Sequence, residues 1–451
     1  MVLIQLSQFI QSEDIYSIND FKKSYFKIIS QNEGFYKVSS KLETSTNEIP
    51  AAYGFIDADF YTDVITVGTD LKTFHVYIFD EDNGVFVKNA DSGPMPNDEA
   101  ILAIKITYMV QSSANPQLMV ITQSKSQKKM LIHAFMIIVD QSQKMTFQEI
   151  PELLVNLDIG DQPGIEPINF QISNDGPVID YWLVSEGGVR KVINYDRTKS
   201  TNSYTIVPFT NFLLNGCPNC IDYNTVINNK LATIGSHRMA DLNGDGRADF
   251  ILESFDSNNN RFFEIYRFND SGKFSLAKTI PIDHNYSLGS FSDLLNRKML
   301  DLVFWHKTEK KIHIHYAQVN SGQATGDTGQ SSTVDFGYSL PSLETPSQSK
   351  PEILDLIPGA QIQENPSLLA YAIIRFADLN LNGFMDLIIN TVDASGANEI
   401  HVFPNNYCQT EENKKNPDCK IFNVEYSDKT IGIIKKKNAI STSIFDFGER
   451  G

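Results

Sequence analysis

Tryptophan is scarce in this chain, at 2 of 451 residues, and cysteine hardly less so, at 4. Basic residues are outnumbered: 38 Lys and Arg stand against 55 Asp and Glu, a formal net charge of −17. A surface of that sign repels the phosphates of nucleic acid and of anionic lipid headgroups, which removes both from the expected partners. No run of about 18 apolar residues occurs, so no segment is expected to span a membrane as a helix. The opening Met-Val-Leu-Ile-Gln-Leu-Ser-Gln-Phe-Ile is too short and too interrupted by polar residues to read as a secretion signal. Catalytic motifs are missing as well. There is no His-Glu-x-x-His, no Gly-x-Ser-x-Gly, no phosphate-cradling Gly-rich loop and no nucleophile beside a base. No enzymatic activity is expected.

The few cysteines fall in two local pairs, Cys217 with Cys220 and Cys408 with Cys419. Such pairs are compatible with two disulfides and an oxidising compartment; four reduced thiols, or one zinc site drawing on both pairs, are the alternatives. Cys217-Pro-Asn-Cys220 also has redox-motif spacing, without the preceding strand and following helix of a thioredoxin-like site. Asn269 and Asn285 head glycosylation sequons.

What the chain does have is aromatic and apolar residues in short runs (29 Phe and 18 Tyr) and a distinctive acidic loop. These runs suit β-strands. The loop is Asp-Leu-Asn-Gly-Asp-Gly-Arg-Ala-Asp, from Asp241 to Asp249. Oxygen side chains stand at its first, third, fifth and ninth positions: Asp241, Asn243, Asp245 and Asp249. Odd-numbered side chains of a tight loop converge on one point, the backbone carbonyl of the seventh residue, Arg247, joins them, and Gly246 permits the sharp turn. That is a calcium loop. Three carboxylates around a dication leave a net charge of −1, which favours occupancy. A second copy follows at Asp378, Asn380, Asn382, Gly383, Phe384 and Asp386. Two Asp and two Asn make it neutral with Ca²⁺ bound, so its affinity is expected to be lower. The alternative for both is an Asx-rich turn held by its own hydrogen bonds.

Weaker copies start at Phe55, Gln111, Ile172 and Asp293, and a last one begins at Asp446. The loop at Phe55 keeps Asp57, Asp59 and Asp63; the one at Ile172 keeps Asn174 and Asp180; the one at Asp293 keeps Asp293 and Asp301; the one at Gln111 has no carboxylate. Those at Phe55 and Asp293 are expected to be structural turns, and the other two to bind nothing. The mean spacing of loop starts is about 65 residues, a little above the length usual for a four-stranded propeller blade. The widest interval contains 320–350, rich in Ser, Gly, Thr and Gln, which reads as a long loop.

Each loop except the last runs into a short apolar strand, such as Val-Ile-Thr-Val after Asp63 or Phe-Ile-Leu after Asp249. A second strand follows with a polar residue among apolar ones: His75, His133, Glu264, His313 and His401. A fixed corner with a strand pair, repeated at one period, is a blade. Blades arranged around an axis bury faces that a lone small sheet leaves open. The expected fold is therefore all-β: a seven-bladed β-propeller over 51–451 with an N-terminal extension, 1–50. Its last blade is either truncated or closed by the N-terminal segment, with Tyr25–Ser39 as one source of a strand. His306, His313 and His315 form a grouping that a transition metal would accept, but histidine at a repeated strand position reads first as architectural.

With the loops placed, the chain resembles the T-cell immunomodulatory protein family, also called integrin-alpha FG-GAP repeat-containing protein 1. The resemblance covers about residues 50 to 451 and lies in three places. One is Ala51-Ala52-Tyr53-Gly54 entering the Phe55 loop and then Val64-Ile65. Another is the ordered set of loops. The third is the tail, where Cys408 and Cys419 precede Phe422-Asn423-Val424, Ala439 and Phe445-Asp446-Phe447. It implies FG-GAP-type repeats and a calcium-binding propeller that acts by protein contacts. It also implies an extracellular or secretory-pathway lumenal ectodomain, with a further β-rich segment and a membrane-spanning helix beyond this chain. The leading expectation is a non-enzymatic, calcium-stabilised interaction module with a protein partner. The alternative is a structural subunit of a larger assembly, and behind it an enzyme with a central-channel site.

Overall fold

The computed structural model describes residues 2–7 and most of 48–446. Outside the description lie shorter gaps and the stretches 111–115, 173–178, 196–202, 215–220, 241–248, 320–337, 340–351, 356–373, 378–382, 393–397, 406–421, 423–431 and 436–440. The described residues form strands and three short 3-10 turns, Pro151–Leu153, Phe209–Phe212 and Tyr223–Thr225. No helix among them is long and apolar enough to cross a membrane.

Strand β1 (Val2–Ser7) precedes six consecutive antiparallel sheets. Sheet 1 holds β2 (Ile49–Gly54), β3 (Asp63–Val67), β4 (Phe74–Asp80) and β5 (Val85–Asp91). Sheet 2 holds β6 (Glu99–Thr107), β7 (Gln117–Ser124) and β8 (Lys129–Val139), with β9 (Met145–Glu149) and β10 (Val155–Asp158) both paired to β8. Sheet 3 is β11 (Ile168–Ile172), β12 (Ile179–Glu186), β13 (Val189–Tyr195) and β14 (Tyr204–Pro208). In sheet 4, β15 (Lys230–Leu231) and β16 (Arg238–Ala240) both pair with β17 (Asp249–Phe255), followed by β18 (Arg261–Phe268) and β19 (Phe274–Ile282). Sheet 5 starts with β20 (Tyr286–Ser292), β21 (Asp301–His306) and β22 (Lys311–His315). A separate pair, β23 (Gln318–Val319) with β24 (Tyr338–Ser339), intervenes before its fourth strand, β25 (Glu352–Asp355). Sheet 6 is β26 (Ile374–Ala377), β27 (Asp386–Val392), β28 (Asn398–Phe403) and β29 (Gly432–Lys435). Finally β30 (Ser441–Asp446) pairs antiparallel with β1, Val2 opposite Asp446, which joins the two ends of the chain.

The second strand of each sheet is apolar on both faces because both faces are covered. In β7, Leu118 and Val120 pack with Ile65 and Val67 of sheet 1, while Met119 and Ile121 pack with Trp182 and Val184 of sheet 3. In β17, Phe250 and Leu252 meet Leu183 and Val192 of sheet 3, and Ile251 meets Leu302 and Phe304 of sheet 5. Val303 and Trp305 of β21 turn the other way, onto Leu387 and Ile389 of sheet 6. Each of sheets 2 to 5 is thus a wedge between its sequence neighbours, and first strands of neighbours lie side by side, β2 with β6 and β20 with β26. Small antiparallel meanders stacked in chain order, face on face, make a β-propeller arrangement.

Most of the stretch expected to be a long loop, 320–350, lies outside the described residues, as does all of Tyr25–Ser39.

Candidate functional site at the sheet corners

The loops of the repeat sit at one place in the sheets, the corner between first and second strands. Gly54 pairs with Asp63, Ala240 with Asp249, Ser292 with Asp301 and Ala377 with Asp386, each closing a corner of equal length. In sheet 3, Gln171 faces Asp180 at the same separation. Sheet 2 departs by one residue, with Thr107 opposite Gln117. The loop expected at 111–119 is displaced: its corner ends at Gln117, and Met119 is the third residue of β7, buried in the core.

Asp63, Asp249, Asp301 and Asp386 are fully buried, and each carboxylate accepts main-chain amides. Asp63 Oδ2 takes the N–H of Ile56 at 2.9 Å and Oδ1 that of Phe79 at 3.1 Å. Asp301 Oδ2 takes the N–H of Leu294 at 3.1 Å, the same loop position as Ile56. Asp249 Oδ1 takes Phe268 N–H at 3.4 Å, and Asp386 Oδ1 takes Asn405 N–H at 2.7 Å. The ninth residue therefore clips the turn to itself or to the far end of the third strand. Burial explains why a carboxylate is used, since an anionic acceptor is the strongest available for an amide removed from water. In sheet 2 the Gln117 carboxamide does this work, its Oε1 accepting from Met109 at 2.6 Å and Val110 at 3.0 Å. Asn405, buried, extends the clip between sheets by donating from Nδ2 to the carbonyl of Leu294 at 2.8 Å. Nothing in the spacing of the sequence flagged Gln117 or Asn405: Gln117 falls at the seventh place of the expected 111–119 copy, where only a main-chain carbonyl is called for, and Asn405 lies outside the nine-residue template.

Of the expected calcium ligands, Asp249, Phe384 and Asp386 are described; Asp241, Asn243, Asp245, Arg247, Asp378, Asn380 and Asn382 lie outside the described residues. In the described part of the second loop, Gly383, its sixth residue, sits at φ +86°, in the left-handed region that only glycine enters without strain. That turn delivers the chain to Asp386, whose carboxylate lies buried at the corner. All four cysteines and Asn269 lie outside the described residues. Asn285 is exposed on the turn before β20, where its Nδ2 donates to Asp283 Oδ1 at 2.9 Å.

The repeated polar residue of the third strand also has a fixed register. His75, His133, Glu264, His313 and His401 pair with Thr66, Val120, Leu252, Phe304 and Ile389, each the third residue after the first of its strand. Acidic or basic partners satisfy the described ones. His133 bridges Glu99 at 2.9 Å and Glu149 at 2.7 Å, and the Thr122 hydroxyl also donates to Glu99 at 2.7 Å. His75 lies between Asp91 and Glu48 in the same manner, with Glu48 at 3.6 Å. Tyr77 donates to that buried Glu48 at 2.9 Å, and burial together with this carboxylate pushes its hydroxyl pKa upward. In sheet 4 the position carries Glu264, which meets Arg190 of sheet 3 inside the core. His313 joins a larger cluster with His306, Glu309, Tyr286 and His315.

No family model and no curated protein matches the chain. Among solved structures it is similar to BBS1N in complex with ARL6DN, with 9% identity, TM-score 0.36 and 80% of each chain covered. A protein from Lactobacillus plantarum gives 15% identity and TM-score 0.32 over 65% of this chain and 72% of that one. A lectin of Aleuria aurantia in complex with Fucalpha1-6GlcNAc gives 9% identity and TM-score 0.34 over 76% of this chain and 87% of that one. Likenesses this distant bear on neither the activity nor the partners of this chain.

Proposed function

We propose that the chain is a non-enzymatic, calcium-stabilised propeller module of a cell-surface or secretory-pathway protein, presenting a fixed rim to a protein partner. The observation that carries the reading is the common corner: four sheets close it at one length on a buried aspartate, and two of those corners have the full set of oxygen positions. Calcium in the corners at 241–249 and 378–386 stiffens the turns that the buried carboxylates already anchor. When bound, the cation draws the odd-numbered side chains of each loop to one point and so fixes the corner's outline. Seven blades are part of this reading. The support for it is that β30 follows the sixth sheet in sequence and pairs with β1, a strand from the N-terminal segment.

The test is a calcium titration of the full chain followed by melting with and without chelator. A chelator-sensitive melting temperature, abolished for the most part by Asp245→Ala, supports the reading. Identical curves in all conditions overturn the calcium part. Affinity purification of the native protein from the secretory pathway then tests the interaction part, which fails if the protein is cytosolic or recovered alone.

A further inference from the structure

We propose that the β21–β22 hairpin of sheet 5 carries a transition-metal site made by His306, Glu309 and His313, separate from the calcium corners. One short turn places all three. His306 ends β21, Glu309 lies in the turn, and His313 is the third residue of β22. Their nearest nitrogen and oxygen atoms all lie within 4.8 Å of one another. The two imidazoles stack with centroids 4.6 Å apart and planes 12° apart, so the His306 ring, the less buried of the two, has to turn for both lone pairs to meet at one ion. Nε2 of His313 is 2.9 Å from Glu309 Oε2, and Nε2 of His306 is 4.0 Å from Glu309 Oε1.

The chemistry of this donor set points to a borderline cation such as Zn²⁺ or Co²⁺. Two imidazoles and one carboxylate are poor ligands for calcium, which prefers oxygen alone, and good ones for tetrahedral zinc with a water in the fourth place. Outer support is present on the buried side. His313 Nδ1 is 3.2 Å from the Tyr286 hydroxyl, and that hydroxyl is 3.1 Å from His315 Nε2. With His313 donating from Nδ1 and Tyr286 donating onward to His315, the Nε2 lone pair of His313 is aimed at the site, and the ring is held as metal-binding histidines usually are.

Two features oppose binding and set its terms. His306 Nδ1 accepts the Glu309 N–H at 3.1 Å, so coordination through its Nε2 requires the ring hydrogen on Nδ1 and the release of that one bond. Lys307, Lys310 and Lys311 on the same hairpin repel a dication. The affinity is therefore below that of a closed structural zinc site. Glu309, exposed in the turn, is the ligand that can move to complete it.

The experiment uses the full chain, stripped of metal, titrated with Co²⁺ while its visible d–d absorption is recorded, then with Zn²⁺ as competitor. The expected result is a tetrahedral cobalt spectrum at one equivalent, displaced by Zn²⁺ and not by Ca²⁺. Glu309→Gln, on an exposed turn, is expected to leave the melting curve of the metal-free protein unchanged and to weaken cobalt binding at least tenfold. His313→Gln is expected to do the same to binding, and His284→Ala, an exposed histidine outside the cluster, to change nothing. Wild-type affinity in Glu309→Gln overturns the proposal, and so does the lack of a tetrahedral spectrum. A strong sulfur-to-cobalt charge-transfer band that vanishes in a Cys217→Ser, Cys220→Ser variant overturns it too, because the thiols then hold the metal.

Discussion

Arg190 of sheet 3 grips Glu264 of sheet 4 through both terminal guanidinium nitrogens, one on each carboxylate oxygen, with both residues buried. The surrounding groups complete the pair. Arg190 Nη2 also reaches Ser254 Oγ at 2.8 Å, and Glu264 accepts from Asn229 at 3.0 Å and from Tyr266 at 2.6 Å. Burial by itself would lower the pKa of the Arg190 guanidinium, but Glu264 beside it raises it above its ordinary value. Burial and Glu264 push the Tyr266 hydroxyl well upward, so it stays a donor. Arg190→Met strands an anion between two packed sheets and is expected to cost about 3–5 kcal/mol. The double variant Arg190→Met, Glu264→Leu removes both charges and should regain most of that loss. Urea midpoints of wild type, both single variants and the double variant check this. A double variant no more stable than Arg190→Met would show that packing, not the stranded charge, sets the cost.

The corner clip predicts a second set of effects that calcium does not touch. Asp63→Ala leaves the buried amide of Ile56 without its acceptor, at about 1–3 kcal/mol, and the half-buried amide of Phe79 at less. Asp63→Asn keeps one carbonyl oxygen and should cost roughly half as much. The measurement is the melting temperature in calcium and in chelator. Equal deficits in both mark a structural clip; a deficit confined to calcium would make Asp63 a metal ligand instead.

The sequence showed the sheet corners because a corner closed on a buried carboxylate tolerates few residues: Asp63, Asp249, Asp301 and Asp386 stand at one register. The doubly apolar second strands were readable for the same kind of reason, since β7 or β17 packs against a sheet on each side. Gln117 was missed because a carboxamide can replace the carboxylate when it accepts two amides, and an added residue then shifts the template. Arg190 and Glu264 lie 74 residues apart on different sheets, and only the stacking of wedges brings them together. Strand β1 escaped notice because pairing between chain ends leaves no local pattern.

Calcium linkage gives the third expectation. With free Ca²⁺ at a hundred times the dissociation constant, one site stabilises the fold by about 2.7 kcal/mol. For a chain this large that is a shift of about 3 °C. Asp245→Ala removes a ligand from the 241–249 loop without touching the ninth-position clip, so its melting temperature in chelator should equal that of wild type. Asp249→Asn should fall in both conditions, because Asp249 is buried and accepts Phe268 N–H whether or not calcium is present. Differential scanning fluorimetry of the two variants with and without chelator separates the roles.

Gly383 tests whether the second corner depends on backbone freedom. At φ +86° an L-residue pays for the left-handed conformation, about 1–2 kcal/mol, while a methyl group there meets no atom of the described residues within 4 Å. Gly383→Ala should therefore destabilise through strain and not through crowding. The loss should be local, since the turn delivers Asp386 to the Asn405 amide and, through Asn405, to the Leu294 carbonyl of the neighbouring corner. Hydrogen exchange is the appropriate readout: amides at Asn405 and Leu294 should lose protection together, and those of β7 should not. Gly383→Asn, whose side chain tolerates the left-handed region better, should recover part of the protection. Equal losses for the Ala and Asn variants would mean that the corner needs the absence of a side chain, as it would if a ligand or partner approached the backbone there.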